Sequence, residues 1–130
     1  MAIQFTEKTL DYAKNPRNQG ELEDPTAVGE VSNPDCGDST IIYLQVEDGI
    51  IQDIRFETFG CAAAVASSSM LTEMVKGKTI DEAYVITDDA VAAELGGLPE
   101  KKMHCSLVGI AALKKAIENY RNGVVTSDED

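Results

Sequence analysis

The sequence predicts an α+β fold, a three-stranded antiparallel sheet with several helices packed on one face. Three observations predict it. Two alternating segments, Thr40 to Val46 and Ile50 to Thr58, are separated by Glu47-Asp48-Gly49, a strong hairpin signal. The strand-like segments come before a run of helical ones, which is the grouping of an α+β chain. In the last long segment, Lys101 to Arg121, the residues Met103, Leu107, Ile110, Leu113, Ile117 and Tyr120 step by three and four along one face of an amphipathic helix.

The elements follow in order. Phe5 to Lys14 predicts a short helix with Thr6 as N-cap and Glu7 in the first turn. Asn15-Pro16-Arg17-Asn18-Gln19-Gly20 stops it with turn residues, and Glu21 to Thr26 reads as an acidic loop. Val28 to Ser32 is the first strand, and Asn33-Pro34-Asp35-Cys36-Gly37-Asp38 is a dense turn cluster. In the second strand Ile42, Leu44 and Val46 share a face. In the third, Ile50, Ile54 and Phe56 share one face, and Asp53, Arg55 and Glu57 the other. The meander is therefore expected to be covered on one side only.

Beyond Gly60 the pattern turns helical. Cys61 to Lys76 is rich in Ala, Met and Leu, with Gly77 at its C-terminal end. Thr79 and Glu82 have the spacing of a capping box. Thr87 to Leu95 predicts a helix capped by Thr87 and stopped by Gly96-Gly97. The last helix carries Lys114 and Lys115 toward its end and stops at Asn122-Gly123, before an acidic tail, Ser127 to Asp130, that is expected to fray. With no repeat and no low-complexity block, residues 1–130 are expected to form one domain.

Composition bounds the function. The chain has 130 residues, 23 acidic against 11 basic, and a formal net charge of −12. Such a balance argues against nucleic acid and against an anionic membrane surface, which both call for clustered Lys and Arg. At 43% hydrophobic but 5% aromatic, with no Trp, the core is expected to be mainly aliphatic. The longest uncharged stretch, Thr58 to Thr72, is 15 residues and holds Gly and hydroxyl residues, whereas a membrane span takes about 20 mainly apolar residues. The three cysteines cannot all pair within one chain, and no charged, apolar leader opens the sequence. These features predict a cytoplasmic protein in a reducing compartment, with thiols that are free or metal-bound.

The cysteines all sit at junctions between elements. Cys36 lies in the turn between the first two strands. Cys61 stands where the third strand passes into a helix. Cys105 lies near the start of the last helix, beside His104, the only histidine. A thiol at a helix N-terminus is activated, because unsatisfied N–H groups favour the thiolate, which is both nucleophile and metal ligand. Asp38 stands two residues from Cys36 across Gly37, which has no side chain to obstruct a bulky ligand. Three thiolates with a carboxylate or an imidazole make four ligands, a set that suits tetrahedral zinc or an iron–sulfur cluster. Bland readings stand beside this one. Asp38 equally suits an Asx-turn, His104 a helix start, and the Ala-Ser run from Ala62 to Ser69 close helix–sheet packing. There is no CxxC pair and no Walker-type phosphate loop.

Three segments together resemble the IscU/NifU-type iron–sulfur cluster assembly scaffolds: Asn33-Pro34-Asp35-Cys36-Gly37-Asp38, Thr58-Phe59-Gly60-Cys61-Ala62-Ala63-Ala64-Val65-Ala66-Ser67-Ser68, and Leu98-Pro99-Glu100-Lys101-Lys102-Met103-His104-Cys105-Ser106. The resemblance covers about Tyr12 to Tyr120. It is closest to the NifU N-terminal module and single-domain IscU proteins. The SufU branch, with an insertion before its last cysteine and no His-Cys pair, is less similar.

The resemblance implies a scaffold and carrier, not an enzyme. Sulfur arrives from a cysteine desulfurase, iron is bound, and a [2Fe–2S] cluster is built and passed to acceptor proteins. It implies Cys36, Cys61 and Cys105 as ligands of cluster or metal, and Asp38 and His104 at the positions of the fourth ligand and of release. Cys105 falls where sulfane sulfur is accepted, and zinc takes the same ligands when cluster is absent. Ferredoxin and frataxin-like proteins are further partners the resemblance suggests. In one segment the chain departs from the family. The chaperone motif Leu-Pro-Pro-Val-Lys reads Leu98-Pro99-Glu100-Lys101-Lys102 here, so a dedicated DnaK-type chaperone is not expected. Two other readings remain. One is a zinc-binding sulfur-acceptor or regulatory partner of a desulfurase. The other is a cysteine-nucleophile enzyme built on Cys105 and His104, which the divergence of adjacent helical side chains by about 100° disfavours.

Overall fold

A computed structural model describes residues 6–33, 38–60, 62–97 and 103–125, without the side chains of 33, 38 and 103–106. Helix α1 (Glu7–Lys14) precedes three strands, β1 (Ala27–Asn33), β2 (Asp38–Glu47) and β3 (Ile50–Phe59). Helices α2 (Ala62–Val75), α3 (Ile80–Tyr84), α4 (Asp88–Glu94) and α5 (Met103–Arg121) follow. The sheet has the order β1-β2-β3 and is antiparallel throughout. Its class and element order are those the sequence predicts. Among the described residues no helix is long and apolar enough to cross a membrane.

The β2–β3 hairpin turns at Asp48 and Gly49, whose φ values of 54° and 75° are both positive, as a two-residue type I′ turn demands. Just beyond it the register slips. Val46 pairs with Ile51 but Gln45 pairs with Asp53, so Gln52 is an extra residue on β3, a β-bulge. The bulge corrects one expectation. Ile50, predicted on the core face, is exposed, and Ile51 is fully buried with Ile54 and Phe56. Strict alternation from Ile50 fails because the bulge resets the period. Ile51 also ties β3 to the exit of α2. Its N–H donates to the Lys78 carbonyl (2.9 Å), and its carbonyl accepts from the Gly77 N–H (2.8 Å).

The core lies between one sheet face and the helices. Ile42, Leu44, Ile54 and Phe56 meet Leu71 and Val75 of α2 and Leu113 and Ile117 of α5. Helix α5 lies so close to β1 that a Cβ on Gly29 would overlap the Ala112 carbonyl and the Ala116 amide. Only glycine permits that approach. Helix α2 buries Ser67, Ser68, Ser69 and Thr72 beside its alanines. Part of this polarity holds the N-terminal segment. Ser69 Oγ accepts from the Arg17 N–H (3.3 Å) and donates to the Tyr12 carbonyl (3.2 Å), while the Asn18 amide donates to Thr72 Oγ1 (3.1 Å) and Glu73 Oε2 (2.8 Å). The Asn15 to Gly20 turn cluster therefore acts as a strap. It covers the outer edge of β3, where the Phe56 N–H donates to the Asn18 carbonyl and the Gly20 N–H to the Phe56 carbonyl.

The capping expectations hold. Thr6 accepts from the Thr9 N–H, Thr87 from the Ala90 N–H, and Thr79 and Glu82 form the reciprocal box. The last helix departs from its predicted face. Leu107 is 48% exposed, whereas Val108, Ala112 and Ala116 are buried. Helix α5 packs on β1 and β2 and also on α2, so its buried surface is wider than one stripe. Its contact with β1 uses small residues that a search for large apolar side chains passes over. Its predicted start at Lys101 and Lys102 lies outside the described residues.

Candidate functional site

The far end of the sheet is set by register. Asn33, the last residue of β1, pairs with Asp38, the first of β2, and Ser39 pairs with Phe59, the last of β3. Cys36 belongs to the segment joining Asn33 to Asp38 and lies outside the described residues, as does Cys61, which stands in sequence between Gly60 and Ala62. The residues that flank both cysteines are therefore at one end of the sheet.

Two helices begin at that end. Helix α2 starts at Ala62 directly after β3, and its exit returns to Ile51 at the opposite end. It therefore runs antiparallel to β3. Helix α5 is aligned on β1 by two contacts. The Asn119 amide donates to the Val28 carbonyl (2.8 Å), and Lys115 Nζ donates to the Glu30 carbonyl (3.3 Å). Stepping back along the helix thus means stepping forward along β1, and the N-terminus of α5 lies at the Asn33 end. From Lys115 to Cys105 the helix rises about 15 Å at 1.5 Å per residue. From Glu30 to Asn33 the strand advances about 10 Å. The first turn of α5, with His104 and Cys105 in its backbone, thus reaches the level of the Asn33–Asp38 pair or just past it. The side chains of Asp38, His104 and Cys105 are outside the described residues.

The electrostatics of this end are distinctive. Helices α1, α3 and α4 each carry a carboxylate in the first turn: Glu7, Asp81 with Glu82, and Asp88 with Asp89. Helices α2 and α5 carry none. The two helices that open at this end therefore lack the first-turn carboxylate that complements the N-terminal N–H groups of the other helices in this acidic chain.

Sequence reasoning missed the rim of this end. Phe59 is 81% exposed, and with Leu107 it presents apolar surface beside the strand and helix ends. On the open sheet face a groove of about 290 Å³ runs beside Phe59, lined by Ile41, Ser39 and the carboxylates of Glu30 and Glu57. Of these, Glu57 accepts through Oε1 from the Tyr43 hydroxyl (2.5 Å). Burial, then that hydrogen bond and the Glu57 charge, push the Tyr43 phenol well above its ordinary range. Alternation was the available signal, since Phe59 continues the outward face of Asp53, Arg55 and Glu57.

The fold and this arrangement define a small α+β protein in which the Asn33–Asp38 pair, the residues Gly60 and Ala62, and the first turn of α5 lie at one end of a sheet. The chain belongs to the NifU-like N terminal domain family, whose model matches residues 4–126. It is similar to the iron-sulfur cluster assembly scaffold protein IscU 1 of Archaeoglobus fulgidus, 56% identical over 93% of this chain and 80% of that one. It is also similar to the IscU scaffold protein of Aquifex aeolicus, 49% identical over 92% of this chain and 78% of that one. Among solved structures it resembles the N-terminal NifU-like protein of Brucella abortus, with a TM-score of 0.72 and 27% identity over 90% of this chain and 94% of that chain.

Proposed function

We propose that this chain is a scaffold on which an iron–sulfur cluster is assembled and from which it is passed to acceptor proteins. The observation that best supports this is the meeting of the Asn33–Asp38 end, the Gly60–Ala62 junction and the first turn of α5 at one end of the sheet. Relatives named as iron-sulfur cluster assembly scaffolds support it independently.

In this reading Cys36, Cys61 and Cys105 supply three thiolates to a [2Fe–2S] cargo, and Asp38 or His104 supplies the fourth ligand. A scaffold must hold its cargo and also release it. Four thiolates bind tightly, and a hard carboxylate or a protonatable imidazole in place of one weakens the match to soft iron–sulfur chemistry. Cys105 accepts sulfur by attack of its thiolate on the outer sulfur of a desulfurase persulfide, displacing the desulfurase thiolate. The transferred sulfur is at the oxidation level of sulfane, so its conversion to sulfide takes two electrons from a ferredoxin-class donor. Zinc occupies the same thiolates in the cargo-free form. The setting is the reducing cytoplasm, and the partners are a cysteine desulfurase and iron–sulfur acceptors.

Anaerobic reconstitution with ferrous iron and sulfide tests this. The expected result is a coloured product with two irons per chain that forms in wild type and is lost in Cys36→Ser, Cys61→Ser and Cys105→Ser. A colourless product that retains one tightly bound zinc and takes up no cluster would replace the scaffold with a zinc-bound sulfur acceptor.

A further inference from the structure

The core column shared by β2 and β3 changes character toward the end just described. Leu44 faces Ile54 and Ile42 faces Phe56, but the next pair is Thr40 with Thr58. Thr40 is 1% exposed. Valine has the same shape and would bury no hydroxyl, so packing alone does not select threonine here.

The hydroxyls are fully committed to one chain of bonds. Thr58 Oγ1 donates to the Ser39 carbonyl (2.8 Å), and Thr58 Oγ1 and Thr40 Oγ1 lie 2.8 Å apart. Each hydroxyl has one proton. Because the Thr58 proton is used on Ser39, the donor in the second bond is Thr40. The chain Thr40 to Thr58 to Ser39 ties β2 to β3 at the last residues before Asp38 on one strand and the Gly60–Ala62 junction on the other.

We infer that Thr40 and Thr58 are positioning residues for the cluster site: their hydroxyl chain fixes the spacing between the start of β2 at Asp38 and the end of β3 that leads into Cys61. The inference rests on the scaffold reading above. The ends of elements open locally at lower free energy than core strands, so a ligand-bearing end gains from a tie beyond the ladder. The two bonds supply that hold without adding bulk on the face that α2 and α5 cover.

The test uses the full chain, reconstituted anaerobically with ferrous iron and sulfide. Thr58→Val is expected to shorten the half-life of bound cluster against a chelator by roughly 10-fold, the scale on which residues supporting metal ligands act. Zinc affinity, read by competition with a chromogenic chelator, should fall by a similar factor. Thr58→Ser, which keeps the hydroxyl, should restore both. Should Thr58→Val unfold, the Thr40→Val/Thr58→Val double variant, which orphans neither hydroxyl, carries the same readouts. A Thr58→Val or double variant with wild-type cluster half-life and zinc affinity would overturn the inference while leaving the scaffold reading intact. Failure of wild type to take up cluster, with Cys61→Ser no different from it, would instead remove the reading on which the inference stands.

Discussion

The side-chain amide of Asn119 donates to the Val28 carbonyl at 2.8 Å, joining the C-terminal half of α5 to the start of β1. Asn119 is almost fully buried, and its own carbonyl accepts from the Val124 N–H. Asn119 thus satisfies an outward carbonyl of β1 and, with Lys115 on the Glu30 carbonyl, sets the direction in which α5 crosses the sheet. That direction brings the N-terminus of α5 to the Asn33–Asp38 end.

Replacing Asn119 by Leu keeps the volume but leaves the Val28 carbonyl without its partner. The expected loss is about 1–3 kcal/mol, the cost of an unsatisfied buried acceptor. Urea unfolding followed by far-UV circular dichroism measures it. An unchanged midpoint would show that the bond is replaced by water at no cost.

Gly29 lies under the same helix. An alanine there would press on the Ala112 carbonyl and the Ala116 amide, both backbone and unable to move aside alone. Gly29→Ala is expected to destabilise by about 3 kcal/mol, at the upper end of overpacking costs. Gly49→Ala, in open space but at positive φ, should cost less, about 1 kcal/mol. Thermal unfolding of the two variants side by side checks the order.

Tyr43 gives a pH dependence of definite sign. Its phenol is raised above its ordinary value near 10 by burial and by the Glu57 carboxylate. A raised folded pKa means that the folded state holds the proton more tightly. The stabilisation is complete below the unfolded pKa and is lost as pH rises from about 10 toward the folded value. The wild-type chain should lose stability along this alkaline limb, and Tyr43→Phe should flatten it. Denaturation midpoints from pH 8 upward, about two units below the phenol's ordinary value, measure the difference.

In the proposed site Asp38 bears on release. With a carboxylate among the ligands the cluster stays exchangeable. Asp38→Ala, which removes the hard ligand, is expected to lengthen the half-life of bound cluster and to slow its transfer to an acceptor apo-ferredoxin. Visible absorption follows both. A shorter half-life or unchanged transfer would contradict the role given to Asp38.

Much of this was legible in the sequence, for local reasons. Thr6, Thr79 with Glu82, and Thr87 announce helix starts through hydrogen bonds reaching only three residues ahead. Asp48-Gly49 announces the hairpin through its own backbone preference. The errors came from longer range. Nothing local marks Gln52 as an extra residue, because the slip is set by how β3 pairs with β2 and with the exit of α2, so Ile50 and Ile51 exchanged places. Leu107 was misplaced because the contacts between α5 and β1 rest on Gly29, Ala112 and Ala116, which a count of large apolar side chains ignores. For the site, the junction positions of the cysteines were visible in sequence. The common direction of α2 and α5 was not, since it depends on Asn119 and Lys115 meeting carbonyls of β1 about 90 residues away in the chain.

In the proposed scaffold the three thiols act together at one end of the sheet. Anomalous diffraction at the iron edge from crystals of the reconstituted protein locates the metal and its ligands together. Two irons are expected at this end, held by the sulfurs of Cys36, Cys61 and Cys105 with Asp38 or His104 completing the set. Iron bound elsewhere, or held without one of those three sulfurs, would contradict this arrangement.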